Sequence, residues 1–178
     1  MTERKSDTEA GTGATAGILT ERPAPSRPGA LHGRLDVFVG KWGLEGWQHE
    51  GLIGPAARVT GIESYEWLTG GFFLVHRLEG RLGDAEMACL EIIGHDSAND
   101  GYVLRTFYND GNASEWRMRE RDNVWMLTGE WPLEDRRLKV RCTTAFADAG
   151  RIRSSKWEHS SDGARWQTFW DVSATRFE

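Results

Sequence analysis

The sequence predicts an all-β fold, an up-and-down antiparallel β-barrel of about ten strands closed at one end by a short N-terminal helix. Three observations predict it. Turn signals recur about every ten residues in the second half of the chain, at Asn99-Asp100-Gly101, Asn109-Asp110-Gly111, Asp122-Asn123, Glu134-Asp135, Asp148-Ala149-Gly150 and Ser161-Asp162-Gly163. Asn-Gly and Asp-Gly types supply the positive φ angles of tight hairpins. The segments between them alternate apolar and polar side chains with period two. Nearly every segment also holds a tryptophan or tyrosine, and nine tryptophans in 178 residues is the compositional outlier. Aromatics pair well across strands, so most should fill the core, with three or four lining a cavity.

The elements follow in chain order. Residues 1–29 are rich in Gly, Ala, Thr, Ser, Pro and charge, with Ile18 and Leu19 almost their only large apolar side chains. Such a segment cannot bury enough surface to fold, and it reads as a disordered tail before a domain spanning 30–178. Leu31, Leu35 and Phe38 then stand at helical spacing, giving a turn or two that caps a barrel end. Ten strands follow, near 41–49, 57–67, 71–81, 86–95, 101–109, 112–120, 123–130, 136–146, 151–159 and 165–176. The eighth is clearest, with Leu138, Val140, Cys142, Thr144 and Phe146 facing away from Arg137, Lys139 and Arg141. Trp42, just after the helix, is expected to plug the barrel end beneath Phe38.

Composition bounds the function. The formal charge of −5 argues against nucleic-acid binding, and the arginines between 117 and 141 alternate with apolar residues as a solvated sheet face does. Cys89 and Cys142 lack metal-ligand spacing and read as buried, reduced side chains. No apolar run reaches membrane-spanning length and no secretory signal is evident, so a cytoplasmic location is expected.

No phosphate-binding loop, zinc motif or nucleophile elbow is present. What remains are polar residues that alternate onto apolar faces. His76 shares a face with Phe72, Leu74 and Leu78, where an imidazole serves as acid, base or ligand-binding donor. In the other register it turns outward and Arg77 inward. Glu63, Tyr65 and Trp67 share a face of the second strand, with Tyr65 and Trp67 as cavity wall and Glu63 as a buried acid or the partner of an interior arginine. Arg105, beside Val103 and Phe107, is the candidate for that arginine or for holding a carboxylate ligand. Both Glu63 and Arg105 are equally compatible with the outer wall. Tyr108, Trp116 and Trp170 complete the candidate ligand-binding set, and His76, Glu63 and Tyr65 are the candidate catalytic groups. His49 and His95 lie at strand ends beside Glu50 and Asp96 and read as exposed turn residues, while His159 starts a hairpin.

Three passages resemble the bacterial family of unknown function DUF1579: Gly40-Lys41-Trp42 with Gly46, the run from Trp67 through Gly70-Gly71 to Leu74, and Gly94-His95-Asp96 continuing to Tyr102 and Tyr108-Asn109-Asp110-Gly111. The likeness spans about residues 36–176, with His95 in place of the usual tyrosine and Phe72 in place of the usual arginine. It implies a fold and no established activity. More distantly, the Gly40-Lys41-Trp42 opening is similar to the calycin barrels, the lipocalin-like, fatty-acid-binding and nitrobindin-like proteins. Nitrobindins coordinate haem through a histidine in the final strands, whereas residues 164–178 here hold none, leaving His76 or His159 to substitute.

The expectation is therefore a barrel that binds a small hydrophobic or aromatic molecule in an internal cavity, without cofactor or metal. The alternative is a cyclase or isomerase of a hydrophobic secondary-metabolism intermediate, in which the cavity orients the substrate. A haem- or gas-binding barrel is the weaker alternative. The expected partner is a small hydrophobic ligand, with a homodimer left open and neither nucleic acid nor membrane involved.

Overall fold

Hairpin chemistry sets the architecture. At Asp122-Asn123 both residues take positive φ, 55° and 62°, which is the backbone of a two-residue turn whose twist matches its flanking strands. Asp148, Ala149 and Gly150 turn the chain in the same left-handed region. The computed structural model describes residues 27–133 and 136–178. The predicted tail up to residue 26 and the Glu134-Asp135 turn lie outside these.

A short helix, α1 (Ala30–Gly33), runs into a turn of 3-10 helix over Arg34–Val37. Ten strands follow: β1 (Gly40–Gln48), β2 (Ala57–Trp67), β3 (Phe73–Leu82), β4 (Ala85–Asp96), β5 (Gly101–Tyr108), β6 (Ala113–Arg121), β7 (Val124–Leu133), β8 (Arg136–Ala147), β9 (Ile152–Ser160) and β10 (Gln167–Arg176). Each pairs antiparallel with the next, and β1 pairs with β10, from Trp42↔Arg176 to Gln48↔Trp170. The barrel is closed and, among the described residues, leaves no sheet edge to pair with another chain. No helix among the described residues is long and apolar enough to cross a membrane.

The N-terminal segment plugs the end where β1 begins. Leu35, Phe38 and Trp42 are buried there, and the Trp42 indole N–H donates to the Phe38 carbonyl at 2.7 Å. Phe38 meets the rings of Tyr65, Trp125 and Phe146 at 5.6, 5.0 and 5.1 Å between centroids. Tyr102 ties the helix down by donating to the Leu31 carbonyl at 2.7 Å. Arg176 lies over the outer part of the Trp42 ring, 4.5 Å from its centroid. Helix and tryptophan together therefore form a packed floor.

Two irregularities shape the interior above that floor. Between Thr168 and Trp170 the register of β10 shifts against β9, leaving Phe169 as an extra residue. The bulge brings both Phe169 and Trp170 against Trp131 and Trp157. On β7, Gly129 makes room for Trp116: a Cβ there would stand 2.4 Å from the indole ring. The tryptophan lies flat across the glycine backbone.

Candidate functional site

The barrel encloses a cavity of about 520 Å³. Its floor is the plug around Phe38. Its wall passes Trp116, Trp125, Trp131, Trp157 and Trp170, and it reaches the opposite barrel end at Ile53, Leu82, Met87 and Asp110. Five of the nine tryptophans thus line it, more than the three or four expected. Between floor and mouth the wall carries a band of polar side chains.

His76 stands in that band. It pairs with Tyr65 on β2 and Glu91 on β4, so its inward direction is shared by both neighbours. It is buried, with Arg77 exposed on the other face, which settles the register in favour of the inward histidine. The Tyr65 ring stacks on the imidazole at 4.1 Å and 5°. Nδ1 lies 3.3 Å from the Glu91 carboxylate, which also accepts from the Thr106 hydroxyl at 2.5 Å. A carboxylate only accepts, so Nδ1 carries a hydrogen, and in the neutral imidazole Nε2 presents a lone pair. Nε2 is buried without a hydrogen-bond partner and lies 3.8 Å from Oε1 of Glu63.

Glu63 is held by Arg153, which also donates to the Tyr65 hydroxyl at 2.9 Å. The guanidinium lies 5.3 Å from the centroid of Trp42 and 5.5 Å from that of Tyr65. Burial opposes its charge, but Glu63 and Tyr65 outweigh that and hold its pKa above the usual guanidinium value. Burial likewise pushes the Tyr65 hydroxyl well above the usual tyrosine pKa, against the pull of Arg153. Beside this group the Thr144 and Ser155 hydroxyls are 2.8 Å apart, with Cys142 3.5 Å from Thr144. Burial pushes the Cys142 thiol up to about 12, and Cys89 on the cavity wall is also pushed to about 12.

The predicted site residues divide accordingly. Tyr65, His76, Tyr108, Trp116 and Trp170 line the cavity, as does Glu63. Tyr108 shares a hydrogen bond with Ser114 at 2.9 Å, and Trp170 donates to Gln48 at 2.8 Å. Arg105 does not join them. It is exposed on the outer wall, 3.3 Å from Glu115 on the neighbouring strand, because the Tyr102-Leu104-Thr106 face of β5 is the one turned inward. The interior arginine is Arg153 instead. Trp67 also stands outside the cavity lining. Two residues beyond Tyr65 the strand has reached the plugged end, and its indole N–H donates to Asp36 at 2.8 Å.

The remaining histidines hold local structure. His49 is exposed and meets Asp171 at 2.7 Å. His95 is half-buried rather than exposed, edge-on to Tyr102 at 6.0 Å. His159 is buried beside Phe169, and burial lowers its pKa.

Glu91 and Arg153 were not legible as site residues, although a signal for Arg153 existed. Carrying β8 through the Asp148-Ala149-Gly150 turn pairs Phe146 with Arg153 and Thr144 with Ser155, which places Arg153 on the inward face.

Fold and interior together define a closed, ten-stranded lipocalin-like barrel with an aromatic-walled cavity and a buried polar band. The chain belongs to the family described as Protein of unknown function (DUF1579), which it matches over residues 27–176. No curated protein sequence matches it. Among solved structures it is similar to the S-type phycobiliprotein lyase CPES from Guillardia theta, with a TM-score of 0.53 and 12% identity. The alignment covers 82% of this chain and 92% of that one, a likeness of fold.

Proposed function

We propose that the barrel binds a small hydrophobic or aromatic molecule in its interior. The observation that carries this is the cavity itself, about 520 Å³, walled by five tryptophans and reaching one barrel end. A concave apolar site with a few convergent polar groups is the usual form of a small-molecule site. Tyr65, His76, Tyr108, Trp116 and Trp170 are the proposed contacts. The structural neighbour is a phycobiliprotein lyase by name and supplies an architectural precedent only. Native mass spectrometry of protein purified from its own organism tests the proposal. A discrete mass increment that is lost on denaturation supports it. Bare chain mass, with no metabolite enriched over a barrel whose cavity is narrowed by Cys89→Trp, would overturn it.

One observation favours a second reading, an enzyme of the cyclase or isomerase type. His76 has the arrangement of an oriented base, with Nδ1 held by Glu91 and Nε2 facing the cavity. Here the aromatic wall would fix the substrate's conformation, and Tyr65 and Glu63 would complete the acid–base set. Incubation with a metabolite extract separates the readings. Catalysis predicts a product that His76→Phe abolishes, while simple binding predicts none.

A further inference from the structure

The polar band has a sign and a hydrogen-bonding sense, and both restrict what the cavity accepts. Two carboxylates stand in the band, Glu63 and Glu91, with the exposed residues Glu86 and Asp110 at the mouth, against one guanidinium, Arg153. That guanidinium already has its charge paired with Glu63. It is engaged by Glu63 and Tyr65 and covered by the rings of Trp42 and Tyr65. An apolar acid entering the barrel would bring its carboxylate to a wall whose one cation is already paired with Glu63, where desolvation is poorly compensated.

The second, independent observation is an acceptor without a donor. His76 is 93% buried, its side chain faces the cavity, and its Nε2 has no hydrogen-bond partner. With Nδ1 donating to Glu91, Nε2 of the neutral imidazole is an acceptor. Oε1 of Glu63 stands 3.8 Å away, too far for a hydrogen bond between the two and close enough for one group to reach both. Two acceptors side by side, in a cavity whose wall is otherwise largely aromatic and aliphatic, lack a donor carrying two hydrogens. Arg153 donates to the other oxygen of Glu63, Oε2, which leaves Oε1 and Nε2 to the ligand.

We infer that the cavity selects flat, apolar molecules bearing a hydrogen-bond-donating nitrogen, an amine or a comparable N–H-rich head, and rejects carboxylic acids of the same size. This rests on the proposal that the interior is a ligand site and adds the chemical class. The head group sits between His76 Nε2 and Glu63 Oε1, and the ring system lies toward the tryptophans at the mouth. The neighbouring Tyr65 ring, stacked on the imidazole, holds the acceptor plane in place.

A matched probe series tests this on the wild-type chain: pyrenemethylamine, pyrenemethanol and pyrenecarboxylate, titrated at pH 7 and followed by energy transfer from tryptophan. The amine is expected to bind at least about tenfold tighter than the alcohol, and the carboxylate at least about tenfold weaker, each step corresponding to one lost or opposed charge-assisted contact. Glu91→Gln keeps an acceptor for His76 Nδ1 and removes a charge, so it should narrow the gap between amine and carboxylate. Carboxylate binding equal to or tighter than the alcohol overturns the selectivity and leaves the cavity a ligand site. Failure of all three probes overturns the site and the selectivity together.

Discussion

Replacing Arg153 with methionine removes the cation that neutralises Glu63 inside the barrel. Both side chains are at least nine-tenths buried, so little solvent screening softens the loss. Removing one partner of a buried pair costs about 3–5 kcal/mol, because the remaining charge keeps its desolvation penalty. With a urea dependence of about 2 kcal/mol per molar, the unfolding midpoint of Arg153→Met should fall by about 1.5–2.5 M. The companion double variant, Glu63→Gln with Arg153→Met, leaves no unpaired charge. It still strands the Tyr65 hydroxyl, which loses the hydrogen bond it accepts from Arg153, at about 1–3 kcal/mol. The double variant should therefore be more stable than Arg153→Met alone. Urea melts followed by tryptophan fluorescence measure all four members of the cycle. An Arg153→Met midpoint within about 0.5 M of wild type, or a double variant as unstable as the two single losses added, would refute the reasoning.

Other consequences follow from the same geometry. Trp42→Ala should cost about 3–5 kcal/mol, since the ring is fully buried in the plug, and a denaturant midpoint near wild type would overturn that placement. Gly129→Val should cost about 1–3 kcal/mol by driving a Cβ into the Trp116 ring, read as a lowered melting temperature. Neither Cys89 nor Cys142 should react with iodoacetamide at pH 8 in the folded protein, because burial holds both thiols near 12, and both should react in urea. These raised thiols, with Tyr65, Tyr102 and Tyr108 also raised by burial, ionise more readily unfolded than folded. Stability from them is complete below the unfolded pKa values and is lost as pH rises from about 9 toward 12. Alkaline melts should show that decline, and a flat profile up to pH 11 would contradict it. Deleting the first 26 residues should leave the melting temperature unchanged, as their composition offers almost nothing to bury.

The architecture was largely written in local signals, and the polar band was not. Turn residues and alternation marked every strand to within a few positions, and β8 showed its inward face outright because Arg137, Lys139 and Arg141 occupy the other one. Alternation fails where both faces are apolar. On β5, Val103 and Phe107 are as hydrophobic as Leu104 and Tyr102, so the pattern could not say that Arg105 points outward to Glu115. On β4, Glu91 follows Leu90 and precedes Ile92, with Cys89 and Ile93 on its own face, and either face could have been the inner one. Trp67 shows a different limit. Its face was right, but its height along the barrel depends on where the helix docks, which strand periodicity does not encode. Arg153 became interior through cross-strand register with β8, a long-range fact that one strand's pattern cannot carry.

The proposed ligand sits inside the barrel with its head group at His76 and Glu63. A crystal structure grown with pyrenemethylamine tests it most directly. Density is expected for the ring system among Trp116, Trp157 and Trp170, with the nitrogen within hydrogen-bond distance of His76 Nε2 and Glu63 Oε1. Density only on the outer wall, or a cavity holding ordered water alone at saturating probe, would contradict it.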